Sequence, residues 1–146
     1  MTHTLHRRDC LLLATSPWLS VSAWAQDPAS ESPLATALRN RNLPTQGVQL
    51  DLPALADTGN AVPLKVKILA PTPLKITTVE IVLPENPNPT ALKLKLPEPQ
   101  AQFEISTRLR LAASQSVWVI ATYTDGSQRQ HSAPTVITST ACLDET

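Results

Sequence analysis

The chain has 146 residues, 12 basic and 12 acidic side chains and a formal net charge of zero. That length accommodates one domain, and the scattered, balanced charge excludes a field that would gather nucleic acid or an anionic membrane. Three glycines against fourteen prolines exclude a nucleotide-binding α/β fold built on glycine turns and point to a proline-punctuated β domain.

Residues 1–25 read as an export signal: basic His6-Arg7-Arg8, an apolar stretch from Cys10 to Trp24 broken by Pro17, and the small-x-small end Ala23-Trp24-Ala25. The run Arg7-Arg8-Asp9-Cys10-Leu11-Leu12 resembles a twin-arginine signal. The stretch is shorter than the ~20 residues that span a bilayer, so no membrane anchor is expected after processing. Lipoprotein processing at Cys10 is excluded by the charged Arg7, Arg8 and Asp9 directly before it. Cys10 leaves with the signal, which makes Cys142 the sole thiol of the mature chain and rules out an intrachain disulfide.

Residues 26–46 read as a flexible segment with one short helix, capped by Ser32, started by Pro33 and continued through Leu34–Leu38. Its apolar side chains are expected to cover one end of the domain. Residues 47–138 carry the strands. Val48, Leu50 and Leu52 alternate with polar residues until Pro53, and Leu64, Val66 and Ile68 alternate with Lys65 and Lys67. A third strand runs from about Leu74 to Leu83, ended by Pro84, Pro87 and Pro89. Leu92, Leu94 and Leu96 form the fourth. Phe103, Ile105, Thr107, Leu109 and Leu111 point inward on the fifth, with Glu104, Ser106, Arg108 and Arg110 outward.

Val117 to Thr124 is apolar on both faces, as a central strand requires, and the turn Asp125-Gly126 follows. The last strand covers roughly Pro134 to Thr138. These elements predict an all-β fold, an immunoglobulin-like β-sandwich of about seven antiparallel strands, with Trp118 in the core between the sheets. An open single sheet backed by the short helix is the competing architecture.

Catalytic groups are sparse. His131 is expected in a solvated loop, without partners at metal-ligand or general-base spacing, so no metal and no cofactor is assigned. No glycine-flanked nucleophile elbow is present, which leaves an independent enzyme the weaker class. Arg108 and Arg110 share a strand face and could receive a carboxylate or an oxyanion; the plainer reading pairs them with Glu104 on a solvated face. Cys142 stands in the tail of residues 139–146, where a thiolate could be presented to another protein, although Asp144 and Glu145 disfavour the thiolate by like charge. From the residues alone, a functional thiol and an incidental one both stay open.

Four blocks carry a family resemblance. Leu50-Asp51-Leu52-Pro53-Ala54-Leu55-Ala56-Asp57-Thr58-Gly59-Asn60-Ala61-Val62-Pro63, Asn86-Pro87-Asn88-Pro89, Ser106-Thr107-Arg108-Leu109-Arg110-Leu111-Ala112 and Asp125-Gly126-Ser127 resemble, in order and spacing, SoxY, the sulfur-carrying subunit of the thiosulfate-oxidising Sox system. The resemblance implies an immunoglobulin-like sandwich, a periplasmic location, a heterodimer with a SoxZ-like subunit and contact with other Sox-like enzymes. It also implies that Cys142 matches the cysteine of the family's Gly-Gly-Cys-Gly-Gly arm, where substrate sulfur is covalently attached. Here Thr140-Ala141 and Leu143-Asp144 replace the two glycine pairs. Two functions are therefore carried forward: a variant sulfur carrier acting through Cys142, with Arg108 and Arg110 as candidate partner-docking residues, and a SoxY-like binding or scaffold protein that has lost the carrier role.

Overall fold

The computed structural model describes residues 31–139, and within them the alternating runs pair into two sheets packed face to face. The export signal, the start of the flexible segment and Cys142 lie outside the described residues. Eight strands follow one helix: α1 (Pro33–Asn40), β1 (Val48–Asp51), β2 (Leu55–Ala56), β3 (Val62–Leu69), β4 (Ile76–Val82), β5 (Thr90–Gln100), β6 (Gln102–Leu109), β7 (Gln115–Tyr123) and β8 (Gln128–Ile137). One sheet has the order β1-β3-β6 and the other β2-β8-β7-β4-β5. Pairing is antiparallel throughout except for β2 on β8. The expected all-β sandwich is what the chain forms, with the two-residue β2 added. No helix among the described residues is long and apolar enough to cross a membrane.

Period two decides which side chains enter the core. On β3, Val62, Leu64, Val66 and Ile68 are buried while Pro63, Lys65, Lys67 and Leu69 are exposed. The register sets Val66 opposite Ile105 and Ile68 opposite Phe103 on one sheet, and Val79 opposite Ala121 and Ile81 opposite Val119 on the other. Val66, Ile68, Val79, Ile81 and Val119 are 0% exposed, and burying each such side chain contributes about 1.5–3 kcal/mol. On β6 the inward residues Phe103, Ile105 and Thr107 are only half-buried, because β6 is an edge strand with β3 as its one neighbour.

The helix forms as expected: the Ser32 hydroxyl accepts from the Ala35 backbone N–H at 3.2 Å, and Pro33 occupies the first turn, where a missing N–H costs nothing. Its position differs from the expectation. Rather than closing one end of the domain, α1 lies on the outer face of the five-stranded sheet, where Leu38 packs with Val82, Trp118 and Ile120. Gln130 Nε2 donates to the Leu38 carbonyl at 2.8 Å and fastens the helix to β8.

Trp118 is consequently not between the sheets. It is 5% exposed, but on the opposite face of β7 from the core residues Val117, Val119, Ala121 and Tyr123. Successive strand residues point to opposite faces, so the odd-numbered set takes the sandwich interior and Trp118 and Ile120 are left for the helix to cover.

His131 also departs from the expected loop. β8 starts at Gln128, and His131 pairs with Val119, half-buried, its Nδ1 enclosed without a protein partner. Pairing propagates along β8 from the tight turn, where Asp125 accepts from the Ser127 N–H at 2.9 Å and the Ser127 hydroxyl at 2.6 Å. Gly126, with φ +80°, supplies the left-handed residue that the turn needs. Backbone hydrogen bonding thus builds strand where the side chains show no alternation. Similarly, β5 continues past Leu96 through Pro97 and Pro99, which an edge strand tolerates; its pairing with β4 shifts register between Ile76 and Thr78.

Candidate functional site

The root of the C-terminal tail is held on the sheet edge by backbone hydrogen bonds. Val136 N–H donates to the Ala54 carbonyl at 2.9 Å, Thr138 N–H to Ala56 at 3.0 Å and Ser139 N–H to Asp57 at 3.0 Å. The Thr135 hydroxyl adds a bond to the Pro53 carbonyl at 2.7 Å, and the Ser114 hydroxyl accepts from Ile137 N–H at 2.9 Å. The last described residue, Ser139, is therefore anchored, and Cys142 follows three residues later, a tether of at most roughly 11 Å. Beside this root Leu55 and Val136, partners across β2 and β8, are 66% and 48% exposed.

Asp57, which holds Ser139, begins a loop that reaches the other sheet. Two residues on, the Gly59 carbonyl accepts from Leu111 N–H at 2.7 Å, just beyond the end of β6. The approach is so close that a Cβ on Gly59 would stand 2.1 Å from the Leu111 carbonyl oxygen and 2.9 Å from Ile137 Cδ1. Only glycine fits there. One short loop therefore ties the tail root to the segment that carries Arg110.

Arg108 lies on β6 in register with Pro63, and Arg110 just past the strand; both side chains are exposed. Neither forms an ion pair among the described residues. Glu104 pairs instead with Lys65 across the β3–β6 ladder at 3.0 Å. Its hydrogen bond and charge hold the Glu104 carboxyl below its ordinary range and raise Lys65 above its own. Both groups are solvent-exposed, so the pair adds little to stability. The arginines keep their charge available, while the expected pairing with Glu104 does not form.

The backbone beneath Arg110 is fixed by two side chains that sequence reasoning did not single out as site residues. Asn86 Nδ2 donates to the Arg110 carbonyl at 2.7 Å, and Asn86 Oδ1 accepts from Ala112 N–H at 2.9 Å and from Gln115 Nε2 at 2.8 Å. Gln115 Oε1 accepts in turn from Glu85 N–H at 3.0 Å. The Asn-Pro-Asn-Pro block was the available signal for Asn86, since asparagine in a proline turn supplies side-chain bonds to nearby backbone. Nothing in the sequence around the start of β7 marked Gln115, which is 8% exposed. Among the described residues no three His, Cys, Asp or Glu side chains gather as metal ligands.

The family model for sulfur oxidation protein SoxY matches residues 34–142. The chain belongs to the SoxY family. Among solved structures, the sulfur carrier protein SoxY from Chlorobium limicola f thiosulfatophilum is similar with a TM-score of 0.58 and 23% identity, over 73% of this chain and 96% of that one. A superoxide reductase (neelaredoxin) from Ignicoccus hospitalis is similar at a TM-score of 0.47 and 13% identity, over 64% of this chain and 81% of that one. No curated protein matches the chain. Within the SoxY-family match, the loop at Asp57–Gly59 and the bonds of Asn86 bring the tail root and the Arg110 backbone to one end of the sandwich.

Proposed function

We propose that the mature chain is a periplasmic carrier that holds sulfur intermediates covalently on Cys142 while partner enzymes oxidise reduced sulfur compounds. The observation that carries this reading is the extent of the SoxY match, residues 34–142, which includes Cys142 at its last position. The anchored root at Ser139 supports it, because a tether fixed at one end and three residues long keeps the sulfur close to a defined surface. The similar Chlorobium protein is described as a sulfur carrier.

In the attachment step the Cys142 thiolate joins the terminal sulfur of a compound such as thiosulfate. One S–S bond forms, the thiol proton passes to water, and two electrons leave to an electron-accepting partner protein. Asp144 and Glu145 would oppose thiolate formation wherever they come close to the sulfur, so activation falls to a partner that offers cations. A SoxZ-like subunit is the proposed heterodimer partner, docking at Arg108 and Arg110, and other Sox-like enzymes act on the tail. Residues 1–25 direct export, 26–46 contribute the helix-bearing segment, 47–138 the sandwich and 139–146 the reactive tail.

The second reading, a scaffold without carrier chemistry, rests on Leu143 and Asp144, whose bulk and charge would have to enter a partner's active site beside the thiol. Intact mass of periplasmic protein from cells oxidising thiosulfate separates the two. A reducible mass increment on the wild type, absent from Cys142→Ser, is expected of the carrier. An unmodified thiol during turnover, with the serine variant sustaining normal oxidation, selects the scaffold.

A further inference from the structure

The sandwich is open on one side. β5 pairs only with β4 and β6 only with β3, and between these two edge strands lies a groove of about 380 Å³. Its deep part is apolar, with Ile81, Leu83 and Leu109 buried and Leu92 and Ile105 half-buried along its sides. Arg108 and Arg110 stand among its lining residues, which include no carboxylate. Two unpaired cations beside an apolar trough are complementary to a segment that combines apolar side chains with acidic ones.

We propose that this groove receives an extended, acidic segment of a partner chain, which adds along the free edge of β6 and sets carboxylates against Arg108 and Arg110. The inference rests on the reading above that the chain works as a subunit with a partner, and it specifies the mode and the chemistry of docking. β6 is the receptive edge: it is eight residues long and free of proline, whereas the β5 edge carries Pro97, Pro99, Lys93 and Lys95, which discourage strand addition. A second copy of this chain is the poorer occupant of the arginine end, because a twofold contact centred there would set like charges against each other. The groove also lies at the tail-bearing end, since Arg110 is linked through Asn86 and the Gly59 loop to the anchorage of Ser139. A partner seated there stands on the side of the sandwich where Ser139 is anchored.

The test uses the full mature chain with the SoxZ-like subunit as probe, measured by titration calorimetry at low and high salt and by hydrogen exchange. The charge reversal Arg108→Glu with Arg110→Glu should weaken binding by at least about tenfold, mainly at low salt, without changing the melting temperature. Lys67→Glu, on the exposed outer face of β3, should bind as the wild type does. Amides of Gln102–Leu109 should gain protection on binding. Unchanged affinity of the double reversal, or protection confined to other strands, overturns the groove assignment and leaves the carrier reading standing. Failure of the wild type to bind the probe overturns both the groove and the heterodimer, while an adduct on Cys142 would still support the carrier. A dimer of this chain through β6 that strengthens in the mixed wild-type and reversed pair assigns the groove to a second copy and overturns the proposal.

Discussion

Gly59→Ala is the substitution that most directly probes how the tail root and the arginine segment are joined. A methyl group at this position would meet the Leu111 carbonyl oxygen at 2.1 Å and Ile137 Cδ1 at 2.9 Å, so the loop must retreat by more than 1 Å to regain ordinary contact, as roughly 3.4 Å separates such atoms. Retreat breaks the 2.7 Å bond from Leu111 N–H to the Gly59 carbonyl. Losing that bond costs about 1 kcal/mol and the forced shift of packed neighbours about 1–3, for a total of about 2–4 kcal/mol. With a urea slope of about 1.5 kcal/mol per M, the unfolding midpoint should fall by roughly 1.3–2.7 M. Gly126→Ala is the matched control: its Cβ would meet nothing within 4 Å, so only the positive φ is penalised, by about 1 kcal/mol. If the signal is cleaved as expected, Trp118 is the only tryptophan left to report the transition by fluorescence. A Gly59→Ala midpoint no lower than that of Gly126→Ala would refute the close approach and, with it, the coupling of the two sheets at this end.

Leu109→Ala should cost about 2–5 kcal/mol in urea unfolding, because Leu109 is 6% exposed, whereas the exposed Arg110→Ala should change stability by less than about 0.5. Equal losses would show the β6 period to be misassigned. The chain's single tyrosine, Tyr123, is buried, and desolvation raises its phenol above the ordinary value of about 10. The folded state then holds the proton more tightly than the unfolded state, so stability is complete below pH ~10 and declines as pH rises from there through the folded pKa. Ultraviolet titration should give a higher midpoint folded than in denaturant, and coincident curves would contradict that burial. For Asp125 the sign is opposite: bonds from the Ser127 hydroxyl and N–H lower its pKa, so the turn is favoured above the unfolded carboxyl value and weakens as pH falls through the folded one. Carbon-detected NMR titration should find Asp125 below an ordinary aspartate. Mild oxidation of the processed protein should give a disulfide-linked dimer that Cys142→Ser does not form; a dimer in the serine variant would place the reactive group elsewhere.

The strands whose apolar residues alternate are legible in the sequence. Leu64, Val66 and Ile68 on β3 and Val79 and Ile81 on β4 take the faces that their period assigns, because a one-residue slip would expose the whole set. The cap and first turn of α1 were equally local. Elements without an apolar period escaped: the two residues of β2, and the first half of β8, where Gln128 to Ser132 becomes strand through hydrogen bonds with β7 rather than through its own side chains. For the candidate site, the sequence marked Arg108, Arg110 and Cys142 as chemically able. It could not mark Gln115, whose contribution is a bond to Asn86, 29 residues away.

The order of residues thus determined the periodicities, the proline breaks, the Asp125-Gly126 turn and the position of Cys142, because each depends on neighbours in sequence. Tertiary structure alone decided which apolar face of β7 entered the sandwich and which received α1, since both faces are apolar and only the partner layers distinguish them. It also decided that Gly59 faces a carbonyl across the domain, that Glu104 is taken by Lys65 and leaves the arginines unpaired, and that β5 and β6 stay open beside them. These are contacts between segments far apart in sequence, and short-range periodicity carries no information about which distant surface will cover a given face.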